Sequence, residues 1–309
     1  MSAVPMCPGC RAILDADAAR CPYCGWEIAR TRVRREGGLV EQGLRGVGGP
    51  TGALILLNVV LYAVTTMVGA AFLRSRIQGE EPSLPALLGS AAWNPPSPVL
   101  ADLGALVPEF VIDGDQWWRL LCPLFLHGGL LHLLFNMSAL RQVGPVVEDA
   151  FGGGKALGIY LIAGLGGGAA SLGWFFVTGP MMRGETHVLV PRIGASGAIL
   201  GFAGVLLGLG WRIGGEAGRR LWRPMLESVG FILVLGVILA FTDAPVQIDN
   251  AAHVGGLVVG LVAGLTCSFG VRAKGDPAAV RAWDFVSIVL ALATVASFVP
   301  VFLALARGE

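Results

Sequence analysis

Long apolar runs fill most of the chain, separated by short polar or Gly/Pro-rich segments. A helix needs roughly 20 apolar residues to cross about 30 Å of hydrocarbon. Seven stretches are of about that size, at approximately 52–73, 123–142, 156–178, 193–212, 226–242, 251–270 and 284–306. Glycine and proline inside them are no objection, because neighbouring helices re-satisfy the freed backbone groups. The pattern predicts an all-α polytopic membrane protein.

Lys and Arg accumulate on the cytoplasmic side of membrane proteins. With the N-terminus inside, sixteen of the 22 Lys and Arg fall on the inner side, and six (Arg74, Arg76, Arg119, Arg183, Arg192 and Arg307) fall on the outer side. The bias predicts a cytoplasmic N-terminus and an external C-terminus.

Composition supports the same class. Of 309 residues 54% are hydrophobic and 14% charged, against about 25% charged in soluble domains. The 46 glycines suit helices that approach one another closely in lipid. Disorder, coiled coil, collagen and a soluble globular enzyme fit poorly. A net charge of +1 excludes a strong general attraction to nucleic acid.

Four of the six cysteines form two CxxC knuckles, Cys7/Cys10 and Cys21/Cys24. Two such knuckles can complete the tetrahedral thiolate set that Zn²⁺ favours, in a closed, structural site. Two disulfides or a redox pair are the alternatives, disfavoured by a reducing compartment and by the lack of a βαβ pattern. Residues 1–29 are therefore expected to be a small zinc-ribbon module, with a protein partner a better fit than nucleic acid. Its polar start, without a cleavable apolar run, is expected to remain in the cytoplasm. Residues 30–50 follow as a basic, Gly-rich linker, and Cys122 and Cys267 stand alone in apolar surroundings as packing residues.

The segment 74–122 contains three prolines at 95, 96 and 98 and the cluster Gln116-Trp117-Trp118-Arg119. Aromatics beside an arginine predict a segment lying at headgroup level, with Trp118 and Arg119 as anchors.

Ionisable side chains within a membrane are costly and point to function. Of the four histidines, His127, His132 and His253 lie in or at the edge of predicted spans, while His187 does not. The second, fourth and sixth spans run in the same direction. His132 and Asn136 on the second, Ser196 near the start of the fourth and His253 near the start of the sixth therefore share one outer layer. An ion pathway would spread its polar groups over several depths.

Ser196 lies in Gly194-Ala195-Ser196-Gly197, where small neighbours leave the hydroxyl approachable. A serine nucleophile needs a base within hydrogen-bond reach, and His253 is the candidate. Glycines 197, 201, 204 and 208 on one helix and 256, 260 and 264 on the other provide flat faces for close packing. His132 and Asn136, four residues apart, share a helix face and can both donate to an oxyanion, as can the Ser196 N–H. No carboxylate is placed to complete a triad, with Asp249 at most an accessory, so a Ser–His dyad is the reading. Gly152–Lys155 lacks the rest of a P-loop, and the glycines at 164–168 have no preceding strand.

Taken together, Trp118-Arg119, His127…His132-Leu-Leu-Phe-Asn136, Gly194-Ala195-Ser196-Gly197 and Ala252-His253-Val-Gly-Gly256 resemble the rhomboid family of intramembrane serine proteases, over roughly residues 50–270. The resemblance implies a six-helix core (51–272) with a water-accessible cavity open to the outer face. It also implies Ser196 as nucleophile, His253 as base, and His132, Asn136 and Gly194 with the Ser196 amide around the oxyanion. Residues 273–309 resemble the extra C-terminal helix found in part of the family. Leu200 departs from the aromatic ring many relatives carry there.

The implied activity is hydrolysis of peptide bonds in or near transmembrane segments, without a cofactor, in the bacterial inner membrane. Substrates with helix-weakening residues are expected to be preferred. The alternative is an inactive relative that binds or escorts membrane clients.

Overall fold

The computed structural model describes residues 39–78, 82–182, 191–242, 248–267 and 277–307. These belong to the unit Gly37–Glu309, which is distinct from Met1–Glu36. The four CxxC cysteines, the zinc-ribbon module and His187 lie outside the described residues.

The described residues form twelve α-helices and no strand. A short α1 (Leu39–Leu44) leads into the long α2 (Gly49–Ser75). Three short helices follow: α3 (Leu84–Trp93), α4 (Ser97–Asp102) and α5 (Pro108–Ile112). The bundle continues with α6 (Leu130–Phe151), α7 (Gly153–Met182), α8 (Ser196–Ile213), α9 (Gly215–Ala240) and α10 (Asn250–Thr266). It ends with α11 (Pro277–Ser297) and α12 (Val299–Arg307). Each predicted span has its helix, and five segments are long and apolar enough to cross a membrane.

The differences from the predicted boundaries have physical causes. The second span starts at Leu130 and not at 123, because Pro123 and Gly129, at φ +146°, break the helix and residues 122–125 form a 3₁₀ turn. The fifth span begins eleven residues early, at Gly215. Its arginine-rich start is helical and carries exposed Arg219–Glu216 and Arg223–Glu227 pairs on its own surface. The last span also starts early, at Pro277, and breaks at Phe298 just ahead of Pro300, which would remove a helical hydrogen bond.

Polar ties join the helices at several points. Thr51 at the start of α2 donates its N–H (2.5 Å) and its hydroxyl to Glu148 of α6, a favourable place for a carboxylate near a helix N-terminus. The buried face of α11 carries Asp284, Ser287, Thr294 and Ser297. Ser287 donates to Gly154 O (2.5 Å), and the Lys155 ammonium stands 5.6 Å over the Trp283 ring. Buried Cys122 meets Ser297 Oγ at 3.1 Å. The main core draws Leu140, Val147, Phe151, Tyr160 and Phe202 from α6, α7 and α8.

Residues between α2 and α6 form a packed layer. Leu87 and Ala91 of α3 bury against Ala70 of α2. Val99, Leu100 and Leu103 form a second small core with Leu126 and Val301.

Candidate active site

Backbone-to-backbone packing brings the site together. A Cβ at Gly256 would lie 1.9 Å from Gly197 O, one at Gly260 1.7 Å from Gly201 O, and one at Gly264 2.3 Å from Val205 O. Only glycine permits this approach of α10 to α8. The opposite side of α10 packs on α7 in the same way, with a Cβ at Gly255 falling 2.6 Å from Gly166 O. The helix carrying His253 is thus wedged between two neighbours.

The consequence is that Ser196, the first residue of α8, meets His253 on the first turn of α10. Ser196 Oγ and His253 Nε2 are 2.7 Å apart, within reach for proton transfer. His253 is 5% exposed and Ser196 is half-buried.

Gly194 has φ +123°, and its N–H donates to Pro123 O at 2.9 Å. A Cβ there would lie 2.9 Å from His132 Nε2 and 3.6 Å from Ser196 Oγ. Gly194 therefore separates the His132 ring from the serine and leaves the space between them open. His132 Nδ1 accepts from the Gly128 N–H at 3.3 Å. A neutral His132 then carries its proton on Nε2, the nitrogen facing Gly194. Buried Asn136 donates to His132 O at 2.9 Å from one turn further along α6, leaving its second amide hydrogen. No side chain caps α8, and first-turn N–H groups have no acceptor within their own helix.

Asp249 does not form a triad. It caps α10, accepting from the Ala252 N–H at 3.0 Å, and its other oxygen accepts from the Ser171 hydroxyl. His253 Nδ1 is buried with no hydrogen-bond partner among the described residues. The dyad stands without a carboxylate bonded to it.

Arg119 and Trp118 lie apart from the dyad. Arg119 is 5% exposed and donates to Ala101 O (2.5 Å), Ala105 O (3.0 Å) and Gln116 Oε1 (2.6 Å). Its guanidinium rests over the Trp118 and Phe110 rings, at 4.5 and 4.9 Å. Burial lowers its pKa from the ordinary value, opposed by Cys122 and Asp102. These contacts make it an internal clamp of the layer between α2 and α6. Leu200 is buried one turn into α8.

Four residues near the site escaped sequence reasoning in these roles. Buried His127 stands edge-on to His132, ring centroids 5.1 Å apart. Asn250 donates to Leu233 O of α9 at 3.1 Å, where Gly236 leaves it room. Ser171 and Arg192 join Asp249 in a polar chain. The histidine pair had a visible signal in its five-residue spacing, whereas the partners of Ser171 and Arg192 are remote in sequence.

Comparison with known proteins finds the Rhomboid domain family over residues 114–269, half of the chain and all five dyad and oxyanion candidates. "Rhomboid protease GluP" of Bacillus subtilis (strain 168) is 39% identical over 166 residues, 53% of this chain and 28% of that protein. "RHOMBOID-like protein 5" of Arabidopsis thaliana is 33% identical over 223 residues, 68% of this chain and 65% of the relative. "Rhomboid-like protease 5" of Toxoplasma gondii is 29% identical over 189 residues, covering 59% and 20%. The chain spans less than two thirds of the length of each of these relatives.

Proposed function

The chain belongs to the rhomboid family and is an integral multi-pass membrane protein; from that premise we propose that it is an intramembrane serine endopeptidase acting through Ser196 and His253. The observation that carries this reading is the 2.7 Å contact between Ser196 Oγ and His253 Nε2, inside the segment matched to the family.

In the proposed mechanism, Ser196 Oγ bonds to a substrate carbonyl carbon while His253 Nε2 takes the hydroxyl proton. The oxyanion so formed accepts from the Ser196 N–H, His132 Nε2–H and the free Asn136 amide hydrogen, across the space beside Gly194. His253 then returns its proton to the leaving amine as the C–N bond breaks. Water attacks the acyl-enzyme, giving its proton to His253, and Ser196 is released with that proton restored.

Substrates are transmembrane segments that expose a backbone carbonyl near the outer face, so Gly- or Pro-containing segments should be cut faster than poly-Leu spans. By the Lys/Arg bias the N-terminus lies in the cytoplasm and the C-terminus outside the bacterial inner membrane. The CxxC spacing supports a structural Zn²⁺ on Cys7, Cys10, Cys21 and Cys24. About one zinc per chain in the purified protein, lost on Cys7→Ser with Cys21→Ser, would support it, and zinc retained by that variant would overturn it.

A fluorophosphonate probe tests the dyad on the detergent-purified protein. Labelling of the wild type, lost in Ser196→Ala and His253→Ala, is the expected result. A folded wild type that neither labels nor cleaves a Gly-containing transmembrane substrate would replace this reading with a client-binding one.

A further inference from the structure

A polar chain beside the dyad connects three segments that are distant in sequence. Arg192 Nη1 donates to Ser171 O at 2.5 Å and to Ser171 Oγ at 2.8 Å. Ser171, fully buried on α7, donates its hydroxyl to Asp249 Oδ2. The other carboxylate oxygen of Asp249 holds the Ala252 N–H, one residue before His253. Arg192 is also held through its backbone, exchanging two 3.0 Å hydrogen bonds with Leu106.

Each end of this chain reaches one member of the dyad. Arg192 stands four residues before Ser196, on the stretch that delivers Gly194 and the serine. Asp249 stands four residues before His253, at the N-terminus of its helix. The His253 ring has no partner of its own to orient it, since Nδ1 is unbonded among the described residues. The glycine faces limit how far α8 and α10 can separate, yet flat faces leave sliding and rotation of one helix past the other weakly opposed. Hydrogen bonds of defined direction at the helix ends oppose that motion. The charged groups at the two ends of the chain make its bonds stronger than neutral ones, and burial at Ser171 spares them from competing water.

We propose that Arg192, Ser171 and Asp249 are positioning residues that set the register of the serine against the histidine, a task a carboxylate bonded to the histidine would otherwise share. The proposal rests on the protease reading above. None of the three residues touches the reacting atoms.

The test is the rate constant of fluorophosphonate labelling, with kcat and KM on a Gly-containing transmembrane substrate, for the full chain carrying Ser171→Ala. Loss of register is expected to slow labelling and kcat by about 10-fold to 10²-fold, with KM within about twofold and the labelled fraction at saturation unchanged. A merely structural role would lower the labelled fraction and leave the rate constant alone. Arg192→Gln should slow the reaction similarly, and the double variant should be little slower than either single one, because both break one chain. Should Ser171→Ala not fold, Arg192→Gln carries the test, since it removes the bonds to Ser171 from the other end of the chain and leaves the Asp249 cap on Ala252 in place. Wild-type rate constants in whichever folds would overturn the proposal. A wild type that fails to label would instead refute the protease reading.

Discussion

Helices α8 and α9 are adjacent in sequence and both apolar, yet they occupy opposite settings. Of the apolar stretch of α8, 72% is buried inside the protein, against 11% for α9. α8 meets α10 through backbone contacts along its length. α9 is fastened near its start, where a Cβ at Gly218 would fall 2.2 Å from Gly210 O, and again by Asn250 to Leu233 O. Between α8, α9 and α10 it leaves an apolar cavity of about 390 Å³, lined by residues including Trp211, Trp222 and Leu261. Further along, Phe231, Val234, Val237 and Phe241 are exposed. The difference teaches that apolar character alone places a helix in the membrane, whereas small residues at the right spacing place it against another helix.

The sharpest way to break this contrast is to add one methyl group to the tight interface. Gly260→Ala puts a Cβ 1.7 Å from Gly201 O, and the backbone cannot yield as a side chain would. A loss of about 3 kcal/mol is expected, read as a fall in thermal unfolding temperature together with a loss of labelling. Unchanged stability would show that α10 is not pinned.

Next in size is a change that removes chemistry and spares packing. Asn136→Ala should lower kcat by about 10²-fold with KM little altered, while its unfolding temperature stays near that of the wild type. A KM effect alone would assign Asn136 to substrate binding.

A smaller effect is expected at the clamp between α2 and α6. Arg119→Ala leaves the Ala101 and Ala105 carbonyls without this donor, at a cost of about 2 kcal/mol. Labelling rate constants in the protein that remains folded should match the wild type. A changed rate constant would show that the layer reaches the dyad.

At the other extreme, Val237→Ala on the exposed part of α9 should shift stability by less than about 0.5 kcal/mol. A larger loss would mean that α9 is held by contacts the structure does not show.

Much of the architecture was legible in the chain because the signals are local. Each of the seven hydrophobic runs coincides with a helix, five of them long and apolar enough to cross a membrane, and the glycine spacing on 197–208 and 256–264 identified the two faces that meet. Boundaries were less legible wherever polar residues are themselves helical, as at Arg219 and Arg223, or where a run of apolar letters hides a break, as at Pro123 and Pro300. An arginine beside aromatics gives no hint that its acceptors, Ala101 O and Ala105 O, are backbone groups well upstream.

Residue types, helical periodicity and the direction of alternate spans were enough to determine a helical membrane protein with Ser196, His253, His132 and Asn136 towards one side. These properties belong to short stretches of chain, whose behaviour in a bilayer depends on their own side chains and length. Only the tertiary structure decided that Ser196 and His253 stand 2.7 Å apart, that Asp249 turns to Ser171 and Ala252 and not to the histidine, and that Arg119 is buried. Each of those outcomes depends on how closely separate segments approach, and that is set by packing among helices far apart in sequence.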